Sequence, residues 1–217
     1  ASGGLLSGYG TVTGDVGNAG EVDASGAQTL AVVGAYVQTG GVTNVESAST
    51  LSVTAGLDQQ GGVLNLLGAF MHVDHGYTVE NGATLVASGT ITADFVNSGL
   101  LEFAGPGTTG VGFASDSANG ILGNFTQTAT GTLIVTIDDY GNPDTLSVAG
   151  HATLGGTLSV GLASGYTPQP GDDYFVMHGM SSGQFATLSF PIESNGYFQI
   201  EYGQYGMAFM LEFLANS

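Results

Sequence analysis

Four side chains with hard oxygen atoms lie within one short, turn-rich stretch of the sequence: Asp138, Asp139, Asn142 and Asp144. A glycine and a proline between them predict a loop. Carboxylate and amide oxygens are the ligands that Ca²⁺ takes in proteins, so these residues are candidate calcium ligands. The spacing differs from that of an EF-hand, whose bidentate glutamate is missing. The alternative is that N–H groups of the turn and water satisfy the acids. No other cofactor is expected.

The segment His72-Val73-Asp74-His75 offers a weaker case for a metal site. The alternation of a strand places His72 and Asp74 on one side and His75 on the other. The three side chains cannot surround one ion unless the chain bends at Gly76. We therefore interpret this segment as a solvent-exposed strand followed by a turn.

The other reactive residue types form no recognisable catalytic pattern. His151 and His178 are isolated, and no G-x-S-x-G nucleophile elbow appears in strand–turn–helix surroundings. The acid pairs Asp138-Asp139 and Asp172-Asp173 could serve acid–base catalysis on a polysaccharide. Lyases built on β-helices usually also need basic residues against acidic sugars, and this chain has no Lys or Arg. We expect that the protein is not an enzyme.

The charge of the chain is entirely acidic. Its 217 residues include 18 Asp and Glu and no Lys or Arg, which gives a formal net charge of -18 at pH 7. Nothing can neutralise nucleic-acid phosphates, so a nucleic-acid partner is excluded. Binding to an anionic membrane surface is disfavoured for the same reason. Because no Lys or Arg can offset a buried acid, the carboxylates must be solvated, accept N–H bonds or bind cations.

A glycine followed by a short apolar run recurs at steps of 21, 21, 20 and 17 residues, and then at wider steps. The glycine markers are Gly20, Gly41, Gly62, Gly82, Gly99, Gly131 and Gly156. After most markers the apolar side chains lie two residues apart, which is the period of a strand. A period near 20 residues holds about three short strands, and such coils bury their apolar side only when they stack.

The repeat therefore predicts an all-β fold, a right-handed parallel β-solenoid (β-helix). Glycine and asparagine at the corners are expected to supply the positive φ angles of the turns. A β-sandwich is the alternative, but the repeated unit spans several strands rather than one.

The pattern changes after residue 160. We expect residues 1–160 to form the solenoid repeats and residues 161–217 to form a short antiparallel section, which caps the stack or offers a docking surface. Both ends carry apolar, strand-like runs that could pair with neighbouring copies. The candidate assembly residues are Leu5, Leu6, Tyr9, Phe198, Tyr202, Tyr205, Phe209, Leu211 and Phe213.

The segment Gly123–Phe185 resembles the distal passenger region of bacterial autotransporter-type β-helical proteins. It carries G-N-F-x-Q from Gly123, D-x-L-x-V-x-G-x-A-x-L-G-G-T-L from Asp144, P-G-D-x-Y from Pro170 and G-x-F from Gly183. The segment Glu80–Gly107 matches the rung pattern of the same family. No membrane-barrel sequence follows within these residues, so the resemblance implies a stand-alone secreted solenoid or a fragment of a larger one.

These observations favour a structural function outside the cell. There is no cysteine, no apolar run approaches the ~20 residues of a membrane-spanning helix, and the start Ala-Ser-Gly-Gly suits cleavage after a signal peptide. We expect a secreted or bacterial cell-surface subunit of a fibre or matrix that assembles with itself, end to end through its terminal strands. The alternative is an adhesin that binds glycans or host surfaces along the solenoid flank.

Overall fold

The computed structural model describes residues 2–103, 120–138, 140–141, 143–203 and 207–216. Every regular element within these ranges is a β-strand, as the period-two pattern predicts. The strands in chain order are β1 (Ser2–Gly8), β2 (Gly10–Thr13), β3 (Val16–Ala24), β4 (Thr29–Val33), β5 (Tyr36–Gln38), β6 (Val42–Val45), β7 (Thr50–Val53), β8 (Leu57–Gln59), β9 (Gly62–Val73), β10 (Tyr77–Val79), β11 (Ala83–Thr92), β12 (Phe95–Asn97), β13 (Leu100–Phe103), β14 (Gly120–Ile121), β15 (Phe125–Gln127), β16 (Thr132–Ile137), β17 (Leu146–Leu154), β18 (Thr157–Leu162), β19 (Asp173–Gly183), β20 (Thr187–Ser189), β21 (Gly196–Tyr202) and β22 (Met207–Ala215).

The alternation of side chains along each strand decides which side is buried. In β7, Leu51 and Val53 are buried, while Thr50 and Ser52 are half-buried on the outer side. The strands β6, β13 and β16 repeat the same alternation. Successive side chains of a strand point to opposite sides, so each of these strands contributes one row of side chains to a common interior.

The strands pair in parallel along three faces. Face 1 comprises β1, the end of β3, β6, the starts of β9 and β11, β13, β16, β18 and β20. Face 2 comprises β2, β4, β7, the ends of β9 and β11, β14 and the starts of β17 and β19. Face 3 comprises the start of β3, β5, β8, β10, β12, β15 and the ends of β17 and β19. The chain crosses faces 1, 2 and 3 in turn, which confirms the predicted parallel β-solenoid.

The circumference of a coil matches the period of the sequence. On the outer side of face 1, the Asn44 amide donates a hydrogen bond to Asp23 Oδ1 over 2.8 Å, and the Asn65 amide donates to Asn44 Oδ1 over 2.8 Å. Each of these contacts joins residues 21 positions apart. The recurring glycines therefore mark one turn of the solenoid.

The core consists of ladders of inward side chains that stack from coil to coil. On face 3 the rings of Tyr77 and Phe95 lie 5.0 Å apart between centroids, and those of Phe95 and Phe125 lie 5.8 Å apart. Such aromatic pairs contribute about 0.5–1.5 kcal/mol each beyond the area that they bury. The buried ladder of face 1 contains Leu64, Leu85, Leu101, Leu133 and Leu158.

A column of buried amides runs along the corner between faces 3 and 1. We call it the amide column. Its members stack in register from coil to coil, and Val79 takes the place of an amide in one coil. The members are Asn18, Gln38, Gln59, Asn97 and Gln127. A buried amide is stable only when its donors and acceptor are hydrogen-bonded. The column therefore has to be matched by polar groups of neighbouring coils, and among its members Asn97 Oδ1 has no hydrogen-bond partner.

Main-chain carbonyls at the start of face 1 accept hydrogen bonds from this column. Gln59 Nε2 donates to the carbonyl of Thr84 over 2.8 Å, and the Tyr77 hydroxyl donates to Gln59 Oε1 over 2.6 Å. Gln38 makes the corresponding bond to the carbonyl of Val63 over 3.0 Å, and the Thr43 hydroxyl donates to Gln38 Oε1. Each amide thus links the corner of one coil to the strand of the next.

Glycine permits the close approach of successive corners. Gly41 has φ +68°, and a Cβ at this position would lie only 2.0 Å from the carbonyl oxygen of Gly20 in the coil below. The expectation that asparagine also supplies positive φ is wrong for the described residues, where the non-glycine examples are Ala27 and Ala48. Asparagine acts instead through its side chain, since Asn18 and Asn97 belong to the amide column.

The C-terminal section closes the solenoid with antiparallel strands, as predicted. Strand β22 pairs antiparallel with β19 on face 2, and β21 pairs antiparallel with β22. Parallel pairing continues through β18 to β20, beyond the boundary expected at residue 160. Buried aromatic rings fill this cap: Phe198 and Phe213 lie 5.0 Å apart, and Phe185 and Phe209 lie 5.2 Å apart, between centroids.

The two adjacent glycines of one corner provide a matched test of the coil geometry. We expect Gly41→Ala to lower the free energy of unfolding by at least about 2 kcal/mol, because the new Cβ meets a carbonyl in a left-handed conformation. Gly40→Ala is the control, since a Cβ there has no neighbour within 4 Å. It should change stability by less than about 1 kcal/mol. Urea unfolding followed by circular dichroism measures both variants, and equal stabilities would contradict the corner geometry.

Neighbouring glutamines test the amide column in the same way. Gln59→Leu removes the acceptor of Tyr77 and the donor to Thr84 from a fully buried site, so we expect a loss of about 1–3 kcal/mol. Gln60→Leu is the control, because Gln60 is exposed and its side-chain amide donates to the Asp58 carboxylate. It should change stability by no more than about 0.5 kcal/mol. If both variants unfold alike, the amide column is not a source of stability.

Candidate functional site: the N-terminal edge and the acidic loop

The first coil has one side without a strand partner among the described residues. Its strands β1, β2 and the start of β3 pair with β3, β4 and β5 of the second coil, and no other pairing involves them. We call their free side the N-terminal edge. Backbone N–H and C=O groups along such an edge are ready to pair with a further strand.

The hydrogen bonds of the first coil indicate which groups are free. Gly14 donates its N–H to the carbonyl of Val33 over 2.9 Å, and Val16 donates to the carbonyl of Ala35 over 2.8 Å, both in the second coil. In a parallel sheet, alternate residues of a strand bond to opposite neighbours. Thr11 and Thr13 therefore present their N–H and C=O groups at the N-terminal edge.

The N-terminal edge is apolar and nearly uncharged. Leu5 and Tyr9 are 65% and 61% exposed, and Leu6, Val12 and Val16 are only partly buried against the end of the core. The first 20 residues contain a single acid, whereas the whole chain has 18. That acid, Asp15, accepts the N–H of Ala35 in the second coil over 2.8 Å. The edge thus offers apolar surface and free backbone groups with little charge.

The structure separates the predicted assembly residues into two groups. Leu5, Leu6 and Tyr9 lie at the N-terminal edge. The C-terminal group is packed inside the cap: Phe198, Phe209, Leu211 and Phe213 are buried. The hydroxyl of the half-buried Tyr202 accepts the N–H of Phe185 over 3.2 Å, and Tyr205 lies outside the described residues. These buried side chains complete the core of their own chain, so they offer no surface to a neighbour.

The acidic loop connects β16 to β17 and brings two of the predicted calcium ligands into the protein. Asp138 and Asp144 are both buried, at 6% and 2% exposure, while Asp139 and Asn142 lie outside the described residues. Thr136 donates its N–H to Asp144 Oδ2 over 2.8 Å, and its carbonyl accepts the N–H of Asp144 over 2.9 Å. Asp138 Oδ1 accepts the N–H of Tyr140 over 2.9 Å. Backbone groups thus hold both acids in place.

The Asp144 carboxyl is the most perturbed acid of the described chain. Its Oδ1 is buried and has no hydrogen-bond partner. The pKa of Asp144 is raised to about 7: burial is the largest cause, the Thr136 N–H acts in the opposite direction, and the negative charges of Asp138 and Glu102 add to the rise. A carboxyl is stable in such a place only when a proton or a cation neutralises it.

The second acid pair is Asp172-Asp173, and its contacts stabilise the local structure. Asp172 Oδ2 accepts hydrogen bonds from the Gln169 N–H over 2.7 Å, the Tyr174 hydroxyl over 3.2 Å and the Tyr166 hydroxyl over 3.4 Å. These contacts fasten the turn that precedes β19. Burial is the largest cause of the raised pKa of both tyrosines, and Asp172 raises it as well. Asp173 is exposed and opposes Glu212 across an antiparallel pair.

The histidine segment lies as the strand alternation predicts. His72 and Asp74 are exposed on one side of β9 and its following turn, with His72 Nε2 2.8 Å from Asp74 Oδ1, and His75 is exposed in the turn. Within the part of the chain that the structure describes, no three His, Cys, Asp or Glu side chains come together as a metal-holding group. The histidines therefore add nothing to the acidic loop.

No known protein family matches this chain, and no curated protein matches it significantly. Among the described residues there is no helix of the length and apolarity needed to cross a membrane.

The perturbed Asp144 predicts a dependence of stability on pH. Its pKa in the folded protein lies above the value near 4 of the unfolded chain. The folded state therefore holds this proton more tightly, and the resulting stability, complete below about pH 4, is lost as the pH rises through about 7. Because the other acids also respond to pH, the informative quantity is the difference in Tm between Asp144→Asn and the natural chain.

With calcium chelated, we expect Asp144→Asn to melt near the natural chain at pH 5 and at least about 3 °C above it at pH 8; a shift of this size corresponds to about 1 kcal/mol in a domain of this length. The exposed Glu46→Gln, which removes the same charge, should show no such change between the two pH values. Differential scanning calorimetry measures all three proteins. A constant difference between Asp144→Asn and the natural chain would show that Asp144 titrates normally.

Proposed function

We propose that this chain is an extracellular structural protein whose copies join through their N-terminal edges. The observation that carries the proposal is the exposed, apolar and nearly uncharged edge of the first coil. The acidic composition without Lys, Arg or Cys supports a place outside the cell, where it favours solubility and leaves no primary cleavage site for trypsin-like proteases.

The N-terminal edge lacks two of the devices by which proteins prevent strand addition, charged side chains and proline, while the register of β1 shifts between Ser2 and Leu5. Natural edge strands are blunted by charged side chains, proline, strong bulges or a covering loop. Neither β1 nor β2 contains a charged residue or a proline. A strand placed on this edge would pair with Thr11 and Thr13, and it would cover the partly exposed Leu6 and Val12. Apolar burial of this kind contributes about 25 cal/mol per Å².

A second copy of the same chain is the partner that this edge fits. Two chains with net charge -18 repel each other, but the first coil contains only one of the 18 acids. Meeting edge to edge therefore keeps most of the like charges beyond a screening length of about 8 Å at physiological salt. The contact would be isologous, because the same surface is used on both copies.

The other end of the solenoid favours this arrangement over a head-to-tail fibre. On face 2, β22 and β21 extend the sheet beyond β19, whereas face 1 ends at β20. The C-terminal end is therefore not level, and its core is filled by the aromatic residues of the cap. An incoming N-terminal edge could not lie flat on it. Joining two N-terminal edges instead gives a longer rod with a cap at each end.

Charge placed on the N-terminal edge should abolish the association. We expect the natural chain to sediment as a dimer at high concentration, and the double variant Leu5→Asp/Tyr9→Asp to sediment as a monomer. The control is Ile192→Asp, which adds a carboxylate at a residue that is 99% exposed near the cap. Analytical ultracentrifugation over a concentration series measures all three proteins, with the Tm of each recorded to confirm folding.

A variant without added charge separates strand pairing from simple repulsion. Thr11→Pro removes one N–H from the N-terminal edge, and it should also weaken the dimer. A natural chain that stays monomeric up to millimolar concentration would contradict the proposal. So would a dimer that Ile192→Asp disrupts as strongly as the edge variants. Filaments in electron micrographs would favour the head-to-tail contact instead.

A further inference from the structure

The acidic loop contains a buried negative group without a counter-charge. Asp144 is only 2% exposed, and its Oδ1 accepts no hydrogen bond. The opposite oxygen, Oδ2, is already bonded to the Thr136 N–H. The chain has no Lys or Arg that could approach this oxygen. The unpaired oxygen therefore calls for a partner from outside the chain.

The negative charges of two further acids act on the Asp144 carboxyl. Asp138, six residues earlier in the acidic loop, is buried, and Glu102 on β13 is half-buried. The loop follows β16, which is the neighbour of β13 on face 1, with Glu102 paired to Ile134. The charges of both acids disfavour ionisation of Asp144. Three carboxyl groups from adjacent coils thus create a local field that a cation would relieve.

We propose that the acidic loop binds one divalent cation, calcium, through Asp144 and Asp138. Hard carboxylate oxygens suit calcium, which accepts irregular coordination and water among its ligands. Glu102 lies in a coil below and contributes its charge rather than a direct bond, because no three acidic side chains of the described residues close around one point. With two protein carboxylates and the rest water, the affinity should lie in the range of about 10⁻⁴–10⁻³ M that is typical of extracellular calcium modules.

The site differs from the one that the sequence suggests. Asp138 and Asp144 were expected as ligands, whereas the contribution of Glu102 depends on the stacking of two coils. The proposal does not rest on association through the N-terminal edge, since the acidic loop lies in the seventh coil and the edge lies in the first. Calcium binding and dimer formation can therefore fail independently.

Isothermal titration of the full chain with CaCl₂, at neutral pH and constant ionic strength, tests the proposal. We expect one calcium ion per chain with a Kd near or below the millimolar range, and a rise in Tm on adding calcium. Asp144→Asn should abolish this step, and Glu102→Gln should weaken it several-fold. Glu46→Gln removes the same charge at an exposed turn, and it should bind calcium as the natural chain does.

Folding is verified by a Tm for Asp144→Asn without calcium that is no lower than that of the natural chain. The proposal is overturned if Asp144→Asn and Glu46→Gln respond to calcium equally, because the ion would then only screen the general acidity. It is also overturned if magnesium raises the Tm as much as calcium. Magnesium requires compact octahedral coordination, so an equal effect would indicate unspecific binding to solvated surface acids.

Discussion

The structure depends on one constraint: successive coils must stack at the spacing of paired strands, about 4.8 Å, even where the chain turns a corner. At the corner between faces 3 and 1, this spacing leaves no room for side chains, so the carbonyl of Gly20 lies directly against Gly41. Main-chain carbonyls at the start of face 1, such as those of Val63 and Thr84, need hydrogen-bond donors there. The amide column satisfies these carbonyls, which explains why five amides are tolerated inside an otherwise apolar core.

A solenoid built in this way always leaves two ends, and this chain treats them differently. At the C-terminal end the sheet reverses direction, and the rings of Phe198, Phe209 and Phe213 cover the core. At the N-terminal end the ladder stops at Leu6, Val12 and Val16, which stay partly exposed. Because each coil is stabilised mainly by its neighbours, an uncovered coil is the weakest one in the stack. Association at the first coil would therefore stabilise the protein as well as extend it.

The sequence predicts the architecture well because the decisive signal is local and repeated. The sequence separation between Gly41 and Gly62 equals the sequence separation between residues that pair on adjacent strands of the stack. Leu51 and Val53 already show the alternation of a buried strand. The amide column also has a signal in the sequence from which it could be predicted. An Asn or Gln stands two to four residues before most corner glycines, as Gln38 and Gln59 do. The role of this Asn or Gln can be recognised only when it is known that the corner carbonyls need side-chain donors.

The ends and the acidic loop were harder to predict, because their environment comes from distant residues. Nothing local distinguishes Phe209, buried in the cap, from Leu5, exposed at the N-terminal edge; both belong to apolar strands. The proximity of Glu102 to Asp144 arises from an unusually long coil between residues 100 and 132, which are paired on face 1. Pairing of this kind is a property of register, and no window of sequence contains it.

The absence of basic residues links these features to one another. With no Lys or Arg, each acid that leaves water needs a backbone donor, and Asp138 and Asp172 have such donors. Asp144 has a donor for only one of its oxygens, so its charge has to be met from solution by a proton or a metal ion. The same composition makes copies repel one another, and the first coil, with Asp15 as the acid among the first 20 residues, adds little to this repulsion. Both proposed contacts, another chain at the nearly uncharged N-terminal edge and a cation at the buried loop, thus depend on the absence of Lys and Arg.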